Sequence, residues 1–158
     1  MKKAVYAGSF DPITNGHIYI LKRALSLFDE VILLVADNKD KKSRFSVEDR
    51  LVMIKEATKD LKGVVVDYTP GYTVHYASKA GAKHLIRGIR TVSDFEYETK
   101  LAEANKSLDS NIETIFLLAD EEHASISSSK INDMFLNKID ISKLVPESVL
   151  NMYKKSSQ

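Results

Sequence analysis

The strongest constraint on this chain's fold is the passage from Ala4-Val5-Tyr6-Ala7 through Gly8-Ser9-Phe10-Asp11-Pro12-Ile13-Thr14-Asn15-Gly16-His17. The first four residues form an uninterrupted apolar run, the pattern of a strand buried on both faces. Ile18, Leu21, Leu25 and Phe28 follow at spacings of three, four and three, which is helical. The stretch between them is a strand-to-helix turn carrying two glycines, a hydroxyl and a histidine. A helix starting there aims unpaired N–H groups and its positive dipole end at the space above the strand end. Phosphate binds in such a place.

The alternation of short apolar runs and helical patterns continues along the chain. Strands are expected at 4–7, 31–36, 64–68, 84–86 and 114–118, rich in Val, Ile, Leu and aromatics. Helices are expected at 17–28, 46–61, 74–80, 93–108 and 127–136, with a last one near Pro146 as its N1 residue. Ser46 reads as an N-cap with Asp49 three residues on, and Val47, Leu51, Ile54 and Leu61 read as that helix's buried stripe. Ser93 with Glu96 reads as a capping box. Gly81 suits a C′ position. This order predicts an α/β fold: a doubly wound, Rossmann-like sheet of five parallel strands in a single domain over residues 1–158. Ligands then belong outside the carboxyl ends of the strands.

Composition bounds the partners. The net charge is +1, so there is no global basic field of the nucleic-acid kind. No cysteine is present, which excludes thiolate metal sites and a cysteine nucleophile. The longest pure apolar run, Val31 to Ala36, is far short of a membrane span of about 20 residues. Lys2 and Lys3 precede an apolar run too short for a signal core. A soluble, cytoplasmic protein that binds neither nucleic acid nor membrane is expected.

Four stretches fall where this fold places ligands. In the first, His17 sits in the opening helical turn, which disfavours imidazolium; a neutral ring donating one hydrogen bond to phosphate fits. Ser9 offers a hydroxyl, and Gly8 and Gly16 allow close backbone approach, although a plain capped turn would use similar residues. No GxGxxG follows the first strand, so the dinucleotide fingerprint is absent. The second is the loop Asp37-Asn38-Lys39-Asp40-Lys41-Lys42-Ser43-Arg44, either a solvated loop or one that lays a lysine over phosphate. The third is Arg87-Gly88-Ile89-Arg90, whose arginines offer planar forks to phosphate oxygens or simply face solvent. The fourth is Ile126-Ser127-Ser128-Ser129, a helix start with spare hydroxyls or a phosphate cradle. His75, His84 and His123 show no metal-ligand spacing, so no protein-bound zinc is expected. No Gly-x-Ser-x-Gly elbow surrounds Ser9.

Taken in order and spacing, GSFDPITNGH, the lysine loop, LIRGIR, SDFEYE and ISSS resemble bacterial phosphopantetheine adenylyltransferase, within the nucleotidyltransferase superfamily that carries a histidine-x-glycine-histidine-type motif. That motif reads Thr14-Asn15-Gly16-His17 here. The resemblance implies transfer of an adenylyl group from ATP to 4′-phosphopantetheine by in-line attack, without a covalent intermediate. It implies that His17 stabilises the transition state, with Lys41 and Arg90 as further catalytic residues. It places Ser9, Phe10, His17, Gly88, Ile89, Arg90 and Glu98 on ATP, together with His123, Ala124, Ser125, Ile126, Ser127, Ser128 and Ser129. Ser9, Lys41, Thr73 and Arg87 would hold phosphopantetheine. Mg²⁺ would arrive with ATP rather than in a protein cage, and the family assembles as a homohexamer. Another phosphorylated acceptor such as nicotinamide mononucleotide, or a nucleotide-binding protein without chemistry, are the alternatives.

Overall fold

The structure is a computed structural model and describes residues 1–37 and 42–157. Five strands alternate with helices in chain order: β1 (Lys3–Gly8), α1 (Asn15–Leu25), β2 (Glu30–Ala36), α2 (Val47–Thr58), β3 (Val64–Thr69), α3 (Thr73–Ala80), β4 (His84–Ile89), α4 (Val92–Leu108), β5 (Glu113–Leu118), α5 (Ser128–Leu136) and α6 (Glu147–Ser156). They form one sheet in the order β3-β2-β1-β4-β5, parallel throughout. The chain order reverses direction between β1 and β4, and their carboxyl ends flank the crevice where such sheets bind ligands.

Alternation along each strand divides the apolar residues between two cores. Tyr6, Leu33 and Ile86 face the larger one with residues of α1, α2, α5 and α6. Val5, Leu34 and Leu85 face the other, covered by Val74 and Ala77 of α3. The register sets Tyr6 beside Leu33 on one side and Ile86 on the other. β1 and β2 are buried on both faces, which explains their unbroken apolar runs.

Several boundaries differ from the sequence expectation. α1 begins at Asn15, because Thr14 supplies the cap, and it ends at Leu25; Phe28 packs into the core from beyond the helix. β4 runs to Ile89, so Arg87 and Gly88 lie within the strand rather than in a loop after it. α4 is capped by Thr91, whose side chain accepts from the Asp94 N–H, and Ser93 is already helical. Pro146 is the N-cap of α6 rather than its first helical residue. The buried face of α2 is Arg50, Met53, Ile54 and Thr58; Val47, Leu51 and Leu61 are only half-buried. Polar residues were not expected on that face. Arg50 tolerates burial because Asp37 pairs with it, and Thr58 because its hydroxyl donates to the Ile54 carbonyl. Ser46 and Gly81 cap their helices as the sequence indicates.

Candidate active site

A cleft of about 330 Å³ opens at the carboxyl ends of β1 and β4. The turn after β1 forms its floor, α1 and α5 point their first turns at it, and β4 and α4 supply its charged wall. It gathers Ser9, Phe10, His17, Arg87, Gly88, Arg90, Glu98, His123, Ile126, Ser127, Ser128 and Ser129 from distant parts of the chain. Ile89, Thr73, Ala124 and Ser125 do not line it. Ile89 is buried at the end of β4, and Thr73 opens α3. Lys41 lies outside the described residues.

His17 is held on one side by its own helix start. The Thr14 N–H donates to His17 Nδ1 at 2.9 Å, and the His17 N–H donates back to Thr14 Oγ1 at 3.3 Å. A backbone N–H can only donate, so Nδ1 is the bare nitrogen and the proton sits on Nε2. Burial, with the charges of Arg90 and Arg87 added, lowers the imidazole pKa to about 3. The ring is therefore neutral near pH 7, with Nε2–H as its one donor. Phe10, at φ 45°, packs its ring edge-on against both Tyr6 and His17, with centroids 5.3 and 5.0 Å away. It is 2% exposed and forms the bed of the imidazole.

Arg87 extends from β4 to Glu98 on α4. Its Nε and Nη2 donate to the two carboxylate oxygens, each at 2.7 Å, and Nη1 donates to the Ala7 carbonyl at 2.6 Å. Burial opposes the charge on Arg87, but the Glu98 pairing outweighs it and raises the pKa above the usual arginine value. Arg90 donates through Nη1 to the Ile126 carbonyl at 3.0 Å and lies 3.5 Å from Asp94. It thereby ties the β4 end to the approach of α5.

The three serines have separate tasks. Ser127 caps α5 by accepting from the Lys130 N–H, and the Ser128 hydroxyl donates to the Pro12 carbonyl at 2.7 Å. Ser129 is exposed, with no side-chain partner among the described residues. Gly88 lines the cleft and also packs against α1. A Cβ there would sit 3.1 Å from Ile20 Cγ1, so the missing side chain admits α1 close against β4. His123 also has a carboxylate partner after all. Its Nδ1 lies 2.5 Å from Asp120 Oδ1, and its ring stacks on Tyr19 at 4.8 Å. The ligand atoms of Asp120, Glu122 and His123 fall within 4.8 Å of one another at the cleft rim, although exposed acids commonly cluster without an ion.

Arg50 is the contributor that sequence reasoning missed. Only 1% exposed, it donates to the Ser9 carbonyl at 2.9 Å, to both oxygens of Asp37, and to Ser46 and Ser43. It fastens the turn after β1 to the ends of β2 and α2. Asp11 reinforces the join by accepting from the Arg44 and Phe45 N–H groups at 2.6 and 2.8 Å. Nothing in the sequence separates Arg50 from a solvated arginine on a helix surface.

Residues 5–134 match the cytidylyltransferase-like family. The chain is 47% identical over 148 residues to the phosphopantetheine adenylyltransferase of Nautilia profundicola, covering 94% of this chain and 96% of that protein. The chain belongs to the phosphopantetheine adenylyltransferase family. The enzymes of that name from Clostridium novyi and Caldanaerobacter subterraneus are 45% and 43% identical. They cover 95% and 99% of the chain, and 93% and 100% of their own lengths is matched. A solved structure titled a putative nicotinate-nucleotide adenylyltransferase, from Vibrio parahaemolyticus, aligns with a TM-score of 0.71 at 20% identity. It covers 97% of this chain and 99% of its own, and at that identity it speaks for the fold alone. Thr14, Gly16 and His17, among the residues that carried the sequence resemblance, line the cleft.

Proposed function

We propose that this protein transfers the adenylyl group of ATP to 4′-phosphopantetheine, giving dephospho-CoA and pyrophosphate in coenzyme A biosynthesis. The observation that carries this reading is the full-length relationship to enzymes of that name, at 43–47% identity. The cleft chemistry supports it. A phosphate oxygen of the acceptor attacks the α-phosphorus of ATP, the bond to the β-phosphate oxygen breaks, and pyrophosphate leaves with its electrons. No covalent enzyme intermediate is involved. Such a reaction needs alignment and charge stabilisation more than a protein base.

His17 offers a neutral Nε2–H donor to the charge that develops on the α-phosphoryl oxygens. Arg90 and the first turn of α5, with Ser127, Ser128 and Ser129, take the β- and γ-phosphates. Ser9 stands between the two substrates, and the strand-end segment of Gly88 and Ile89 lies alongside the nucleotide. His123, Ala124, Ser125 and Ile126 belong to the adenine side. Arg87, with Lys41, holds the acceptor phosphate, and Thr73 lies along the pantetheine arm.

A divalent cation, Mg²⁺ in this reading, neutralises the triphosphate when bound. Of the cleft carboxylates, Asp94 engages Arg90 and Glu98 engages Arg87. Those residues suit a cation carried by triphosphate oxygens and water rather than one caged by protein. No helix among the described residues is long and apolar enough to cross a membrane. The reading extends to a cytoplasmic homohexamer.

Pyrophosphate release from ATP and Mg²⁺, measured across a panel of phosphorylated acceptors, tests the proposal. Release with 4′-phosphopantetheine is expected. Release with nicotinamide mononucleotide but not with 4′-phosphopantetheine overturns it.

A further inference from the structure

Tyr6 stands on β1 with its ring packed edge-on against Phe10 and tilted against His17, whose ring centroid is 6.5 Å away. The residue is only 5% exposed, yet it lines the cleft. Its hydroxyl makes no hydrogen bond to any described residue. No fully buried side-chain oxygen or nitrogen among the described residues lacks a partner, so the Tyr6 oxygen is not sealed inside the core. With so little of the residue exposed, the opening it reaches is the cleft that it lines. A mostly buried hydroxyl without a partner carries a desolvation cost that a phenylalanine in the same place would not.

The charges around Tyr6 say what its hydroxyl can meet. Burial pushes the phenol above its usual range, and the positive charges of Arg87 and Arg90 pull it back only in part. The group therefore keeps its proton near pH 7 and is a neutral donor. The same two arginines act on His17, so both rings face one positively charged space. Such a space draws in an anion whose oxygens accept hydrogen bonds, and phosphate is the anion this cleft is built for.

We infer that the Tyr6 hydroxyl is a second neutral donor to the α-phosphoryl group, working beside His17 Nε2–H as charge develops on the phosphoryl oxygens. This rests on the proposed adenylyl transfer and deepens it. Phe10 packs against both rings, at 5.3 Å from Tyr6 and 5.0 Å from His17. The two donors are thus held at a fixed spacing before the substrate arrives, as stabilisation of a developing charge requires.

The test uses the full-length protein. Tyr6→Phe removes one oxygen and keeps the ring against Phe10 and His17. Single-turnover pyrophosphate release, with ATP, Mg²⁺ and 4′-phosphopantetheine, reads the chemical step apart from product release. Its rate should fall about three- to tenfold, the effect of one neutral hydrogen bond, while the KM of each substrate stays within about twofold and the urea midpoint does not fall. ATP with sulfur in place of either non-bridging α-oxygen adds a readout that ring packing would not move. Sulfur is a weak acceptor, so Tyr6→Phe should slow one of the two diastereomers less than it slows ATP. A rate loss below about threefold overturns the inference. So does a loss that comes with a lowered midpoint, a loss confined to KM, or equal slowing of ATP and both sulfur analogues. The acceptor is judged separately, on the wild type: if that protein releases pyrophosphate only with another phosphorylated acceptor, the acceptor reading falls and the Tyr6 comparison is made with that acceptor.

Discussion

The backbone N–H of Thr14 donates to Nδ1 of His17 at 2.9 Å, across the first turn of α1. This main-chain donor fixes which imidazole nitrogen faces the cleft, and the Thr14 hydroxyl lies 3.2 Å from the same Nδ1. Thr14→Val removes the hydroxyl and keeps both the shape and that N–H. The variant should lose about 1 kcal/mol of stability, the usual worth of an N-cap. Its turnover should stay within a few-fold of wild type. His17→Ala should instead cut turnover by roughly 10²–10³, as for a lost transition-state donor. Denaturant unfolding and steady-state rates on the two variants check this. Equal rate losses would mean that the hydroxyl, not the N–H, holds the ring.

The lowered pKa of His17 predicts a pH dependence of stability with a definite sign. In the unfolded chain the imidazole titrates near 6.5, and in the folded protein near 3. Above about pH 6.5 both states leave it neutral and it contributes no slope. Between about 6.5 and 3 the unfolded state binds the extra proton, so stability falls as the pH drops through that window. His17→Gln, which does not titrate, should flatten the fall. Thermal unfolding of both proteins from pH 7 to pH 4 provides the comparison. Parallel curves would show that the ring protonates in the folded state.

The parts of this fold that repeat were the parts legible in the sequence. Unbroken apolar runs marked the strands because parallel strands covered on both faces need no polar alternation. The turn from Gly8 to His17 was legible because few residue types make a tight strand-to-helix passage. What the sequence hid was pairing across distance. Arg50 looks like surface until Asp37, 13 positions away, meets it. Glu98 looks like one more acid on α4 until Arg87 reaches it from another element. Gly88 lies on the cleft, and its second contact, the close packing of Ile20 from α1, is one that no local pattern announces. The helix-start serines resemble one another in sequence and separate only by what each hydroxyl faces.

Ser128 and Ser129 should accordingly respond differently to alanine. The Ser128 hydroxyl donates to the Pro12 carbonyl at 2.7 Å and links α5 to the turn after β1. Its loss should cost about 1 kcal/mol of stability, the net worth of one such hydrogen bond. Ser129 is exposed beside the cleft, and Ser129→Ala should leave the unfolding midpoint unchanged. If its hydroxyl meets the triphosphate, the KM for ATP rises several-fold. Midpoints and KM values for the two variants are expected to cross: Ser128→Ala moves the first more, Ser129→Ala the second.

Arg50 and Asp37 carry the largest predicted stability effect. Arg50 is 1% exposed, and its N–H groups are spent on Asp37, Ser9, Ser46 and Ser43. Asp37→Ala would leave a buried guanidinium without a counter-charge. Breaking a buried pair from one side costs about 3–5 kcal/mol, and partial exposure of the Asp37 side chain, at 28%, favours the lower end. Replacing both members by apolar residues of similar size, Arg50→Met with Asp37→Leu, should recover much of that stability because no charge remains buried. It should not recover turnover. The Ser9 carbonyl would still lack the donor that fastens the turn beneath His17, and small misplacements at a reacting centre are costly in rate. Urea unfolding and pyrophosphate release on the single and double variants separate the two roles. A double variant that regains both stability and turnover would limit Arg50 to holding the fold together.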